Sequence, residues 1–228
     1  PMLDHKRKPF HADPRNALQS VVNRLAKKGL TPVTAFELEF YLVDPSAFKQ
    51  TGRIARGMDE NSPDPQNMYS LDELTNKSEL FADIRAAALE QGLPIDTIIK
   101  EAAPGQFEVN LQHRADPMAC ADDAVLLRRL ITECANKYGL RATFMAKPFL
   151  EWPGNGMHVH ASLLNKEGVN IFSLKDGDKK LRYAINGLLE TMQESLLFFI
   201  PGFNGYRRLQ PGSYAPTRIA WGINNRSV

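Results

Sequence analysis

The sequence predicts an α+β fold: a largely antiparallel, curved sheet with flanking helices. Two observations carry that expectation. Segments 34–43, 106–112 and 157–163 each alternate apolar and polar residues, the period-2 signature of strands. Stretches with legible helix caps lie between them. Clean alternation marks strands packed on one face and wet on the other, which is the antiparallel pattern.

Each element has a local reason. The first helix opens at Asp13, a good N-cap, with Pro14 at its first position, and closes at Gly29 after Lys27 and Lys28. In 34–43, Phe36, Leu38, Phe40 and Leu42 share one face, and Ala35, Glu37, Glu39 and Tyr41 share the other. Residues 51–67, rich in Gly, Pro, Asp and Asn, read as a long loop of the kind that is often functional. A second helix spans about 78–91 and stops at Gly92 and Pro94. In 106–112, Phe107, Val109 and Leu111 face one way, and Gln106, Glu108, Asn110 and Gln112 the other. A third helix starts at Asp116 and Pro117 and ends near Gly139; residues 143–149 are a further strand candidate. In 157–163, Met157, Val159, Ala161 and Leu163 oppose His158, His160 and Ser162. A fourth helix spans roughly 179–200 and is stopped by Pro201.

The 228 residues are long enough to bury a sizeable core, and 43% hydrophobic with 24% charged residues is an ordinary globular composition. With 28 basic and 26 acidic residues there is neither a nucleic-acid-binding arm nor an acidic tail. The apolar run 196–200 is far short of the roughly 20 residues of a membrane span. Residues 1–10 have no apolar centre of a signal peptide. Two cysteines exclude a disulfide scaffold, and Cys120 and Cys134 on one helix would stand about 21 Å apart. These features point to a reduced, cytoplasmic protein without nucleic-acid or membrane partners.

Polar residues on the second face of an antiparallel strand are usually just solvated. Three such strands together shift that weighting. Glu37 and Glu39 project from one face roughly 6–7 Å apart. Two carboxylates at that spacing repel by about 2.5 kcal/mol at an effective dielectric near 20. Glu101 and Glu108 add two more acids, and His158 and His160 add two imidazoles on one face. Carboxylates with at most one His per ion suit Mg²⁺ or Mn²⁺, whereas Zn²⁺ favours more nitrogen or sulfur. Arg207 and Arg208 precede a turn at Pro211-Gly212, and Arg226 follows Asn224-Asn225. Guanidinium groups beside a divalent cation are the equipment of phosphoryl transfer. No Walker-type or Gly-x-Gly-x-x-Gly loop is present, so bound ATP would be held by metal and arginines.

Five blocks in order carry a resemblance to a known family. They are Phe36-Glu37-Leu38-Glu39-Phe40, then Lys100-Glu101-Ala102-Ala103-Pro104-Gly105-Gln106-Phe107-Glu108, then Ala142-Thr143-Phe144-Met145-Ala146-Lys147-Pro148. Gly154-Asn155-Gly156-Met157-His158-Val159-His160-Ala161-Ser162 follows, and Arg207-Arg208-Leu209-Gln210-Pro211-Gly212 with Asn225-Arg226-Ser227 closes the series. The chain resembles the glutamine synthetase family over essentially its whole length. The resemblance implies ATP-dependent formation of γ-glutamyl phosphate from glutamate, followed by displacement of phosphate by an amine. It implies two or more Mg²⁺ or Mn²⁺ ions, with Glu37 and His158 at the phosphate-side metal and Glu39, Glu101 and Glu108 at the glutamate-side metal. His160, Ser162 and Arg226 would contact ATP. Arg208 would grip the glutamate carboxylate, Arg226 would stabilise the phosphoryl group, and Gly154 would lie in the substrate loop. It also implies a homo-oligomer of two stacked rings.

Two departures refine the expectation. The ammonia-using members carry Glu in the pattern Pro-Gly-x-Glu-Ala-Pro, where this chain has Pro211-Gly212-Ser213-Tyr214-Ala215-Pro216. A neutral phenol supplies no charge for a small cation at pH 7. Loss of that Glu resembles the γ-glutamylpolyamine and γ-glutamylputrescine synthetase branch, making Tyr214 a substrate-site residue and the nucleophile an organic amine. The alternatives are a true glutamine synthetase using ammonia, a non-catalytic structural paralogue, and a phosphotransferase with another acceptor. The second departure is at the ends: residues 1–228 read as part of a catalytic domain, without the β-grasp domain that precedes it in the family or the Arg-x-Glu-x-Arg segment that follows.

Overall fold

A computed structural model describes residues 1–46, 55–56 and 68–223. Helix α1 (Pro14–Lys27) has the Asp13 cap that its sequence calls for, with the carboxylate accepting from the Arg15 amide. The long strand β1 (Thr31–Asp44) follows, and a two-residue strand β2 (Ala55–Arg56) pairs with its end. Most of the expected loop 51–67 lies outside the described residues. Helices α2 (Leu71–Asn76) and α3 (Ser78–Glu90) lead into the hairpin of β3 (Ile95–Lys100) and β4 (Gln106–Leu111). Then come α4 (Pro117–Lys137), β5 (Arg141–Thr143), β6 (Met157–Leu164), a 3₁₀ turn at Ile171–Ser173, α5 (Gly177–Phe199) and a short α6 (Phe203–Tyr206).

β1 organises the sheet. Every pairing is antiparallel, and residues 37 and 38 pair with β4 and β6 at once, so those strands lie on opposite edges of β1. β5 continues the β6 edge at 41–43. One sheet face carries the core: Leu38, Phe40, Leu42, Phe107, Val109 and Leu111 meet Leu80 and Ile84 of α3 and Leu127 and Ile131 of α4. Burying each such side chain contributes roughly 1.5–3 kcal/mol. Phe81 meets Phe107 edge-on, with ring centroids 4.9 Å apart.

The α+β class and the apolar/polar face assignments of β1 and β4 match the sequence reading. Several details differ, among them the apolar side of β6, where Met157 and Val159 are exposed. The polar face is not uniformly wet: Glu39, Gln106 and Glu108 are buried. A loop from 149 to 156 covers that face; the Tyr41 hydroxyl donates to the Pro153 carbonyl at 2.7 Å, and the Tyr41 ring meets Phe149. Of the expected strand 143–149, only Thr143 lies in one, at the end of β5. Beyond it, side chains serve the backbone in place of a ladder. Asn155 Nδ2 donates to the Thr143 and Met145 carbonyls, and Asn204 bonds both the amide and the carbonyl of Lys147. The fourth expected helix starts two residues earlier, at Gly177, and its apolar residues Leu197, Phe198 and Phe199 are exposed.

Candidate active site

Strand register assembles the acids and imidazoles. Glu39 stands directly opposite Glu108 on β4, and Glu37 directly opposite His158 on β6. Side chains directly opposite across an antiparallel pair share a face, so four ligand-type groups converge on one patch. His158 Nδ1 and Glu37 Oε2 lie 2.7 Å apart, and the same nitrogen is 4.0 Å from Glu39 Oε1 and from Glu108 Oε2. The second Glu37 oxygen meets His160 Nε2 at 2.8 Å. One carboxylate thus bridges two imidazoles.

The electrostatics mark this patch as short of positive charge. Burial, and then the charges of Glu37, Glu101 and Glu39, push the Glu108 carboxyl up to about 8. Burial raises Glu37 too, but the hydrogen bonds and charges of His160 and His158 outweigh it and leave that carboxyl below its ordinary value. Ligand atoms of Glu37, Glu108 and His158 all lie within 4.8 Å of one another. Two carboxylates with one imidazole, and two further carboxylates beside them, fit a hard divalent cation such as Mg²⁺ or Mn²⁺. A bound cation would offset the burial and the repulsion that together hold a proton on Glu108 near neutral pH. Glu39 and Glu101 flank this group, Glu39 held by a 2.7 Å hydrogen bond from the Gly156 amide and Glu101 half-buried at the start of the β3–β4 turn.

Arg208 borders the acidic patch. A Cβ on Gly156 would lie 2.7 Å from Arg208 Nη2 and 3.1 Å from Glu39 Oε1, and one on Gly154 would lie 2.9 Å from Arg208 Cγ. Glycine at 156 leaves room for the guanidinium beside Glu39, and at 154 the Ala146 backbone carbonyl excludes a side chain as well. Arg208 Nε is buried with no hydrogen-bond partner among the described residues.

The structure therefore brings together Glu37, Glu39, Glu101, Glu108, His158, His160, Gly154 and Arg208. Ser162 lies farther along β6, half-buried, opposite Val33. Arg226 lies outside the described residues. Three residues escaped the sequence reading as site residues. His113 packs against His160, ring centroids 5.8 Å apart; it follows β4 and falls out of phase with the Gln106–Glu108 face. Gln106 and Asn155 form a buried amide pair, with Gln106 Nε2 donating to Asn155 Oδ1 and to the Gly154 carbonyl. Gln106 shares the Glu108 face, and both amides lie inside the sequence blocks that carry the family resemblance.

The chain matches the model of the family described as glutamine synthetase, catalytic domain, over residues 11–228. The chain belongs to that family. It is 40% identical over 232 residues to a γ-glutamylputrescine synthetase of Escherichia coli (strain K12), covering 100% of this chain and 49% of that protein. It is 34% identical over 222 residues to a glutamine synthetase of Pyrococcus horikoshii, covering 97% of this chain and 48% of that protein. Among solved structures, an ADP complex of GmaS superposes with a TM-score of 0.84 at 30% identity, covering 97% of this chain and 52% of the other. The chain spans about half the length of the curated relatives it matches.

Within this glutamine synthetase catalytic fold, Tyr214 lies at a separate opening. It is exposed and adopts a left-handed backbone with φ 57°, which is unusual for a bulky residue. A pocket of about 590 Å³ runs from Tyr214 past Trp152, Glu151, Lys147 and Arg207. Burial, and then the charge of Arg208, hold the Lys147 ammonium below its ordinary value. Its Nζ donates to the Trp152 carbonyl at 2.6 Å, fixing one wall of the pocket.

Proposed function

We propose that the complete protein is an ATP-dependent glutamate–amine ligase, joining an organic amine to the γ-carboxylate of glutamate. The observation that carries this reading is the convergence of Glu37, Glu39, Glu108 and His158 beside Arg208, whose Nε has no hydrogen-bond partner among the described residues. Glu37 and His158 would hold one divalent ion, and Glu39, Glu101 and Glu108 a second. Such ions neutralise charge on a transferring phosphoryl group. The chain's own groups do the rest. Arg208 orients the glutamate carboxylate, and His160, Ser162 and Arg226 contact ATP. A γ-carboxylate oxygen attacks the terminal phosphorus and ADP departs; the amine nitrogen then attacks the acyl carbon and phosphate leaves.

An organic amine is favoured over ammonia by Tyr214, which stands where the ammonia-using pattern carries Glu. The 40% identity to a γ-glutamylputrescine synthetase supports the same choice. The 34% identity to a glutamine synthetase keeps ammonia as the second reading. On this reading the segment is part of a larger, cytoplasmic, homo-oligomeric enzyme. Competition between putrescine and ammonia as second substrates of the complete protein tests the amine reading. The expected kcat/KM for putrescine exceeds that for ammonia; equal or better turnover of ammonia overturns it.

A further inference from the structure

Lys100 is 1% exposed, among the most buried side chains of the protein, and its partner Glu73 is buried as well. The Lys100 ammonium lies 3.7 Å from Glu73 Oε1. A buried ion pair is weak as a source of stability, because desolvation offsets most of the attraction. Where its hydrogen bonds go is more informative. Lys100 Nζ donates to the carbonyls of Glu101 at 2.5 Å and Ala103 at 2.8 Å. Glu73 Oε2 accepts from the Gly105 amide at 3.0 Å. Both partners therefore clamp the backbone of the turn, residues 101–105, that joins β3 to β4. Gly105, at φ 69°, passes the constraint on, since its carbonyl accepts from the Leu42 amide of β1 at 2.8 Å.

That turn is where two of the four clustered acids are attached. Glu101 opens it, and Glu108 follows two residues after Gln106. Carboxylates converging on one imidazole repel one another when no cation lies between them, so the hairpin bearing one of them, Glu108, needs a separate restraint. Lys100 stands opposite Phe107 in register, and Glu108 follows on the other face. The ammonium thus lies on the core side and restrains the backbone from behind.

We propose that Lys100 and Glu73 are positioning residues that fix the β3–β4 turn so that Glu101 and Glu108 meet the divalent cation in register. This rests on the metal reading above. The test is Mn²⁺ titration of the complete protein, followed by electron paramagnetic resonance, alongside thermal melting. Lys100→Met and Glu73→Ala are each expected to weaken Mn²⁺ binding about 10-fold or more, as loss of a ligand-orienting partner does. Unchanged Mn²⁺ affinity with a lowered melting temperature overturns the proposal and leaves the pair an ordinary stabilising contact. Should Lys100→Met yield no folded protein, Glu73→Ala, which removes the acceptor of the Gly105 amide, decides by the same criterion. Absence of Mn²⁺ binding in the unsubstituted protein overturns the metal reading itself and the proposal with it.

Discussion

Glu108→Gln in the complete protein is expected to lower turnover by on the order of 100-fold or more, since a direct ligand should matter at least as much as the groups that orient ligands. The substitution keeps shape and removes the charge a divalent cation needs. It should also change stability in the opposite sense. In the metal-free folded state Glu108 keeps its proton up to about pH 8, whereas an ordinary glutamate loses it near 4.5. Between those values the folded state binds more protons than the unfolded state, so the free energy of unfolding falls as pH rises. The amide that Glu108→Gln introduces has no such proton to lose. Melting curves in chelator should show the wild type losing more stability than Glu108→Gln from about pH 5 to about pH 8.5, and added Mn²⁺ should remove the wild-type deficit. Parallel pH dependence of the two proteins would show that Glu108 does not carry the strain.

Arg208→Ala is expected to raise KM for glutamate by roughly 10- to 100-fold, the range for losing a hydrogen bond to a charged group. KM for ATP should stay near the wild-type value. The guanidinium lies over Gly154 and Gly156 beside Glu39, with Nε buried and unpartnered among the described residues. A planar fork matches a carboxylate in two places, and an ammonium does not, so Arg208→Lys should fail to restore glutamate affinity. Initial rates over a range of glutamate concentrations check this; an unchanged KM would place the carboxylate elsewhere.

Local pattern made part of this site legible and hid the rest. Strict alternation in β1 and β4 assigned Glu37, Glu39 and Glu108 to one face, because each side chain there answers to the same core. The pairing of Glu39 with Glu108 and of Glu37 with His158 was not legible, since register depends on contacts 69 and 121 residues apart in sequence. β3 escaped because Ile98 and Ile99 break the alternation and a bulge interrupts its pairing between Ile95 and Thr97. Residues 143–149 have the apolar content of a strand, yet Asn155 and Asn204 take their backbone groups from outside. Lys100 and Glu73 were invisible as a pair because nothing local marks a lysine for burial, and its partner sits on a six-residue helix.

The proposed chemistry turns on one order of events: phosphate passes to the glutamate γ-carboxylate before the amine attacks. Glutamate labelled with ¹⁸O in that carboxylate, incubated with the complete protein, ATP, Mg²⁺ and putrescine, reports that order. One ¹⁸O is expected in each inorganic phosphate released, together with equal amounts of ADP and γ-glutamyl amide. Unlabelled phosphate would rule out the acyl phosphate route.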